Sequence, residues 1–343
     1  MPNDDASSPA SLPGRAPHIL LSIAPHERDA IFPLKNMAAL TGISGTLDTV
    51  TPGDVLEFGD LGDIDIVVVA WGFPALDRDL LGRMPRLRLV VNAASSVRRL
   101  VTDAFWAAGI PITQSGAAMA PAVAEMSLTL TLSLLRRTHR MDSALRHGVR
   151  WDSARAIPRA REIAGARIGV IGASRTGREY VRMCSSLGAS VAIHDPYVGD
   201  GDPLSSLITP LDELLATSDI VAVHAPATPE THGMLGRHEL ALLRDGAGLV
   251  NTARSSLIDG EALYDEVSSG RIDAALDVFD AEPLPQDDRW RALPNALLTG
   301  HVSGATRESR QRAGAIVIDE ITRFVAGEPL QHRVTRTDLE RMG

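Results

Sequence analysis

The sequence predicts an α/β protein of two domains, and three observations carry that expectation. Over the first ~115 residues short apolar runs alternate with helical patterns, the habit of a parallel sheet covered by helices. A second, more regular alternation runs from about residue 165 to about 300, and one of its strands opens into a glycine turn and a helix, IGVIGASRTGREY, residues 168–180. With 343 residues, 44% of them hydrophobic and 22% charged, the chain is long enough to bury two cores.

In chain order, HILLSIA (18–24), IDIVVVA (64–70), LRLVV (87–91) and IPITQ (110–114) are expected strands. Pro111 stands at the start of the last, where a proline is tolerated. A long helix is expected over 121–140. Its apolar stretch VAEMSLTLTLSLLRR is interrupted by Glu125, Ser127, Thr129, Thr131 and Ser133. It falls short of the ~18 apolar residues of a membrane span and suits an amphipathic or interface helix. Six further strands follow at 167–171, 190–194, 219–223, 247–251, 273–278 and 296–299, matching a doubly wound dinucleotide-binding sheet. Beyond His301 the pattern RESRQRAGAIVIDEITRFVAG is helical, and the polar tail after it is expected to return to the first domain.

A net charge of −9 without a run of Lys or Arg argues against nucleic acid as a partner, since phosphate binding draws on clustered cations. Cys184 is the single cysteine, which rules out a disulfide framework and a cysteine metal site; on the helix after the glycine turn it reads as a buried structural thiol. The leader MPNDDASSPASLPGRAP lacks the basic-then-apolar order of a signal peptide. A cytoplasmic protein without a membrane segment is therefore expected.

In a G-x-G-x-x-G turn the first glycine makes the bend, the second admits the pyrophosphate and the third lets helix and strand pack. Gly172 and Gly177 fill the first and third places, and Ser174 stands in the second. The helix start at Arg175 and Thr176 can still offer N–H groups to a phosphate, and the Ser174 hydroxyl can add a donor. The plain alternative is an ordinary strand-to-helix turn. Asp195 ends the next strand, where a carboxylate accepts from ribose hydroxyls and repels a 2′-phosphate. NAD is thus expected ahead of NADP, unless Asp195 is merely a turn residue before Pro196.

Ligands of open parallel sheets bind beyond the carboxyl ends of the strands. There the sequence places Arg254, Asp277, Glu282 and His301. A protonatable imidazole, a carboxylate to orient it and a guanidinium to hold an anion are the parts needed for hydride transfer at a carbon bearing oxygen. Each also has a plain reading: Arg254 as a surface ion-pair partner, Glu282 as a solvated loop residue, His301 as a cap or core histidine.

The segments LDELLATSDIVAVHAPATPETHGML, NTARSSLID, SGRIDAALDVFDAEPLP and LPNALLTGHVSGAT resemble, in order and spacing, the D-isomer-specific 2-hydroxyacid dehydrogenases. The resemblance is strongest from about 165 to 306. It implies a Rossmann-type NAD-binding domain at 119–303 and a discontinuous, flavodoxin-like α/β substrate domain of residues 1–118 and 304–343, with a hinge near 118 and 303. It also implies Arg254 as substrate anchor, Glu282 as histidine partner and His301 as acid/base. Asp277 would face the nicotinamide, Asp195 the ribose, and Arg175 and Thr176 the pyrophosphate. Ala225, Thr252 and Ala253 would line the groove by backbone. The implied assembly is a homodimer and the substrate a small 2-keto or 2-hydroxy acid.

Three positions depart from the family pattern. Ser174 replaces a glycine, Gly300 stands where proline is usual, and Ala94-Ser95-Ser96 occupies a Gly-x-Gly loop that binds the substrate carboxylate, with Arg98 in place of an aspartate. Ser95 and Ser96 could donate to an anion. Arg98 and Arg99 could reach the substrate or be solvated charges at a helix start, and Trp71 could wall the substrate or pack in the core. These departures leave open a phosphonate-bearing keto acid or an inorganic oxyanion as substrate, and a non-enzymatic NAD-sensing protein as the other class.

Overall fold

The computed structural model describes residues 15–155 and 160–341. Residues 1–14 of the expected leader lie outside it. The chain divides into two compact units, one comprising the described residues through Met119 with the segment from Ala305, the other running Ala120–Gly304.

The first unit holds β1 His18–Ser22, β2 Thr46–Val50, β3 Ile66–Val69, β4 Leu89–Asn92 and β5 Ile112–Gln114. They form a parallel sheet in the order β5-β4-β3-β1-β2. β3, with sequence IVVV, is buried throughout, as a central strand covered on both faces must be. One face packs Leu20, Val67, Val90 and Phe105; the other packs Ile19, Leu21, Val68 and Val91 against Val317, Ile321 and Phe324 of the helix Arg307–Ala326. β2 was not expected from the sequence. It is an edge strand, TLDTV, with no buried residue, so it carries no apolar run to announce it.

In the second unit β6 Arg167–Ile171, β7 Ser190–His194, β8 Ile220–Val223, β9 Gly248–Asn251, β10 Asp273–Leu276 and β11 Ala296–Leu298 form a parallel sheet. The order is β11-β10-β9-β8-β6-β7, doubly wound, with the switch point between β6 and β8. A single parallel bridge from Ile193 to Ile208 extends the β7 edge. The six strands fall within or one residue from their expected positions. Back in the first unit, β12 Arg333–Val334 pairs antiparallel with β5, so the tail returns to its own sheet.

The long helix differs from expectation. It spans Gly116–Arg136, with Pro121 inside it, and ends where Arg137 turns left-handed (φ 55°); a second helix, Thr138–Arg146, follows. The periodicity ran on across that one-residue break. By length and composition this 21-residue helix is apolar enough to cross a bilayer, contrary to the sequence reading, and half of that stretch is buried inside the fold. Its polar residues have partners there: Ser127 Oγ lies 2.7 Å from Thr252 Oγ1, and Thr131 Oγ1 2.6 Å from Tyr180 Oη.

At the amino ends of these strands two buried carboxylates are enclosed by cations. Asp219 accepts from the Arg167 N–H and pairs with Arg161 and Arg244, and Asp273 pairs with Arg137 and Arg140. Cys184 is fully buried, as expected, and burial pushes its thiol up to about 11.

Candidate active site

The carboxyl end of β6 makes the glycine turn. Gly172 sits at φ 96°, and a Cβ there would lie 2.5 Å from the Ala225 nitrogen, so the loop after β8 approaches bare backbone. At Gly177 a Cβ would overlap the Gly172 carbonyl oxygen, which is the close strand–helix packing that the third glycine permits. Ser174 keeps an ordinary backbone (φ −61°, ψ 175°) and is the N-cap of the helix Arg175–Ser186, its Oγ accepting from the Gly177 N–H at 3.2 Å. The serine is therefore a cap as well as a potential donor, a role the sequence reading missed although a serine directly before a helix signals it.

Asp195 Oδ2 accepts from the Ala173 N–H at 2.6 Å and Oδ1 from the Tyr197 N–H at 2.8 Å. The carboxylate is thus fixed against the glycine turn. Arg178, one turn into the helix, is neutralised by two hydrogen bonds to Asp202 at 2.9 and 2.6 Å. Ala225 is buried, and the Thr252 hydroxyl is taken by Ser127.

At the end of β9, Asn251 pins the following turn by accepting from the Ala253 N–H and donating to the Arg254 carbonyl. Arg254 donates to the Ala253 carbonyl at 2.7 Å and makes no ion pair among the described residues. Burial lowers its guanidinium below the ordinary arginine range, and the Glu282 charge opposes that shift. This is not the environment of a surface ion-pair partner.

His301 Nδ1 lies 2.7 Å from Glu282 Oε2, and Glu282 Oε1 accepts from the Phe279 N–H at 3.0 Å. The histidine side chain is 48% exposed, so it is not a core residue, and the helix that follows is capped by Thr306 instead. Burial alone would raise the Glu282 carboxyl; hydrogen bonds from His301 and Phe279, with the charge of Arg254, outweigh it and hold the group below its ordinary value. His301 has φ 56°, a left-handed conformation costly for a residue with a side chain. What holds it there is Asp277, fully buried at the end of β10. Its Oδ1 accepts from Thr299 Oγ1 (2.5 Å) and Val302 N–H (3.0 Å), its Oδ2 from Ser303 N–H (2.9 Å) and Ser303 Oγ (2.5 Å), and its carbonyl from His301 N–H (2.8 Å). The Asp277 carboxylate is thus spent on shaping the His301 loop, which spacing alone could not show.

In the first unit the loop after β4 is tied down by Asn92, which donates to the Ser96 carbonyl and accepts from the Ala94 N–H. The Ser95 hydroxyl has no protein partner among the described residues, and Ser96 Oγ has only a long contact from the Arg98 N–H at 3.5 Å. Arg98 donates to the Leu339 carbonyl at 2.6 Å, and the helix that follows starts later, at Asp103. It is thus neither a helix-start charge nor free for a ligand. Arg99 is exposed. Trp71 is 45% exposed beyond β3, so it is not a core residue.

Residues 128–303 match the family model for the NAD binding domain of D-isomer specific 2-hydroxyacid dehydrogenases, just over half of the chain. The chain belongs to the D-isomer-specific 2-hydroxyacid dehydrogenase family. NAD(H) is the family's cofactor, and the bare backbone at Gly172 with the fixed carboxylate of Asp195 forms a cradle that fits it. A D-3-phosphoglycerate dehydrogenase of Methanocaldococcus jannaschii is 31% identical over 94% of this chain and 61% of its own length, so the chain spans about three-fifths of that relative. A hydroxypyruvate reductase of Thermotoga maritima is 31% identical over 76% of this chain and 84% of its own length. Among solved structures, a phosphoglycerate oxidoreductase of Rhizobium etli superposes with a TM-score of 0.75 at 28% identity, covering 93% of this chain and 99% of that one.

Proposed function

We propose that this member of the family interconverts a 2-keto acid and a D-2-hydroxy acid with NAD(H). The observation that carries the reading is the Glu282–His301 pair, 2.7 Å apart, in the unit that also bears the glycine turn and the partly buried Arg254. When bound, the nicotinamide supplies or accepts the hydride at C2. His301 gives the proton to the substrate oxygen in reduction and removes it in oxidation through Nε2, because Glu282 engages Nδ1. Arg254 binds the carboxylate and polarises the adjacent carbonyl. In the first unit, the loop Ala94-Ser95-Ser96 offers backbone and hydroxyl donors suited to an anion.

Gly172, Ser174, Arg175, Thr176 and Gly177 hold the pyrophosphate, and Ala225, Thr252 and Ala253 line the groove. Asp195 favours NAD over NADP, since Arg178 beside it is already neutralised by Asp202. Asp277 acts by positioning His301. The acid–base pair supports an enzyme rather than an NAD sensor, which needs neither member. By the family resemblance the enzyme works as a homodimer.

The test is NADH oxidation over a panel of 2-keto acids of varied size and charge, repeated with NADPH. Turnover with at least one acid, faster with NADH, is expected; silence across the panel despite NADH binding would refute the reading.

A further inference from the structure

The amino ends of β8, β9 and β10 carry a group of cations that the hydride chemistry does not use. They lie at the opposite end of the strands from the glycine turn. Asp219 stands directly before β8 and Asp273 opens β10; the start of β9 joins them, the Asp219 carbonyl accepting from the Gly248 N–H and the Ala247 carbonyl from the Asp273 N–H. Oδ1 of Asp219 is met by Arg161 Nη1 at 2.5 Å and Arg244 Nη1 at 2.6 Å, with Arg167 Nη2 at 3.7 Å. Arg137 and Arg140 close on Asp273 in the same way. Five guanidiniums thus surround two buried carboxylates. The one further carboxylate at the rim, Asp245, is 89% exposed and turned to Arg271 at 3.6 Å.

Arg161 and Arg244 each spend one N–H on Asp219, and their guanidiniums have no other partner among the described residues. With Arg137 they line a cavity of about 200 Å³ over Gly246, Ala247 and Gly248. That is below the ~300–1,000 Å³ of a pocket for a drug-sized ligand, and it suits a small polyatomic ion. Arg137 reaches the cavity from a left-handed backbone, φ 55°, and among the described residues the only other non-glycine residue so held is His301. Strain of this kind persists where the surroundings impose it, and it clusters at functional sites.

We propose that this cavity binds a phosphate-type dianion, as the free ion or as the phosphoryl group of a phosphomonoester. Guanidinium groups match tetrahedral oxyanions through paired N–H donors, and an anion across Arg161 and Arg244 relieves the repulsion of two cations held side by side. Asp219 leaves room for it, because Oδ1 is already covered by both guanidiniums and Oδ2 by the Arg167 N–H, so the ion meets their outer N–H groups. The site stands apart from the proposed hydride chemistry and is tested apart from it.

The experiment follows the melting temperature of the full chain, saturated with NADH so that the glycine turn is occupied, against inorganic phosphate at an ionic strength held constant with sodium chloride. A saturable rise is expected, because an ion that binds the folded state stabilises it. Arg244→Gln and Arg161→Gln are each expected to raise the half-saturating phosphate concentration about tenfold or more, the scale of a lost charge-assisted hydrogen bond. Arg237→Gln, whose exposed partner is Asp265, should leave it unchanged. Removing a partner of Asp219 lowers the melting temperature by itself, so the quantity compared is the phosphate-dependent increment of each variant. A parallel titration with glycerol 3-phosphate separates the two sources: half-saturation at a lower concentration than phosphate assigns a phosphomonoester, at a higher one the free ion. No rise beyond that given by chloride, or a half-saturation unmoved in both Arg161→Gln and Arg244→Gln, overturns the site.

Discussion

Replacing Asp277 by asparagine isolates the device that holds His301 in its left-handed conformation. The carboxylate receives two donors on each oxygen, one hydroxyl and one backbone N–H on each side. Whichever way an amide is turned, its NH2 faces one hydroxyl, which can rotate to accept, and one backbone N–H, which cannot. Either Val302 or Ser303 is then left with a buried donor unsatisfied, at about 1–3 kcal/mol, and the remaining bonds lose their charge assistance. A local loss of about 2–3 kcal/mol corresponds to an about 30- to 150-fold larger open population of the loop. Amide hydrogen exchange followed on a peptide spanning residues 299–304 reads that opening directly. His301, left-handed at φ 56°, loses its support at the same time, so kcat should fall about tenfold or more. Unchanged protection in 299–304 together with an unchanged kcat would refute the assignment of Asp277 as the positioning residue.

Ser174→Gly removes a helix cap but keeps the turn; a glycine N-cap costs only a few tenths of a kcal/mol, so NADH Kd by fluorescence titration should shift less than about tenfold, or ~1.4 kcal/mol. Loss of NADH binding would instead make the serine hydroxyl a principal phosphate ligand. Cys184, with its thiol pushed up to about 11 by burial, should resist a thiol reagent at pH 7.5 in the folded protein and react once urea unfolds it; rapid native labelling would show an open thiol. Burial alone would raise Asp219, but the Arg167 N–H, the Arg161 hydrogen bond and neighbouring charges hold its carboxyl below the ordinary range. A folded pKa below the unfolded value of about 3.9 gives stability that is full above that pH and is lost as pH falls through the folded value. Asp219→Asn should therefore lower the melting temperature at pH 7 and flatten its decline between about pH 5 and pH 3; an equally steep acid decline would exclude Asp219 as a source.

Strands buried on both faces, such as IVVV of β3, were legible in the sequence because enclosure forces a continuous apolar run. β2 was illegible for the converse reason, and Arg137 broke the long helix without a glycine or proline to mark it. Gly172, Asp195, Arg254, Glu282 and His301 were singled out from the sequence because doubly wound sheets gather ligands at strand ends, a rule that operates on sequence order, and the structure puts them at those ends. Sequence spacing could not show which donors a carboxylate uses. Asp277 was placed facing a ligand, and its buried oxygens are instead filled by Thr299, Val302 and Ser303. The arginines gathered on Asp219 come from positions far apart in the chain, a cluster that no local pattern announces.

The central claim is that His301, oriented by Glu282, moves the proton that accompanies hydride transfer. It is tested most directly by the steady-state kcat of His301→Ala on the best 2-keto acid of the panel, with NADH binding measured on the same sample. General acid–base catalysis sets the expected fall in kcat at about 10²- to 10⁴-fold with NADH still bound. A kcat within a few-fold of the parent would remove His301 from the mechanism.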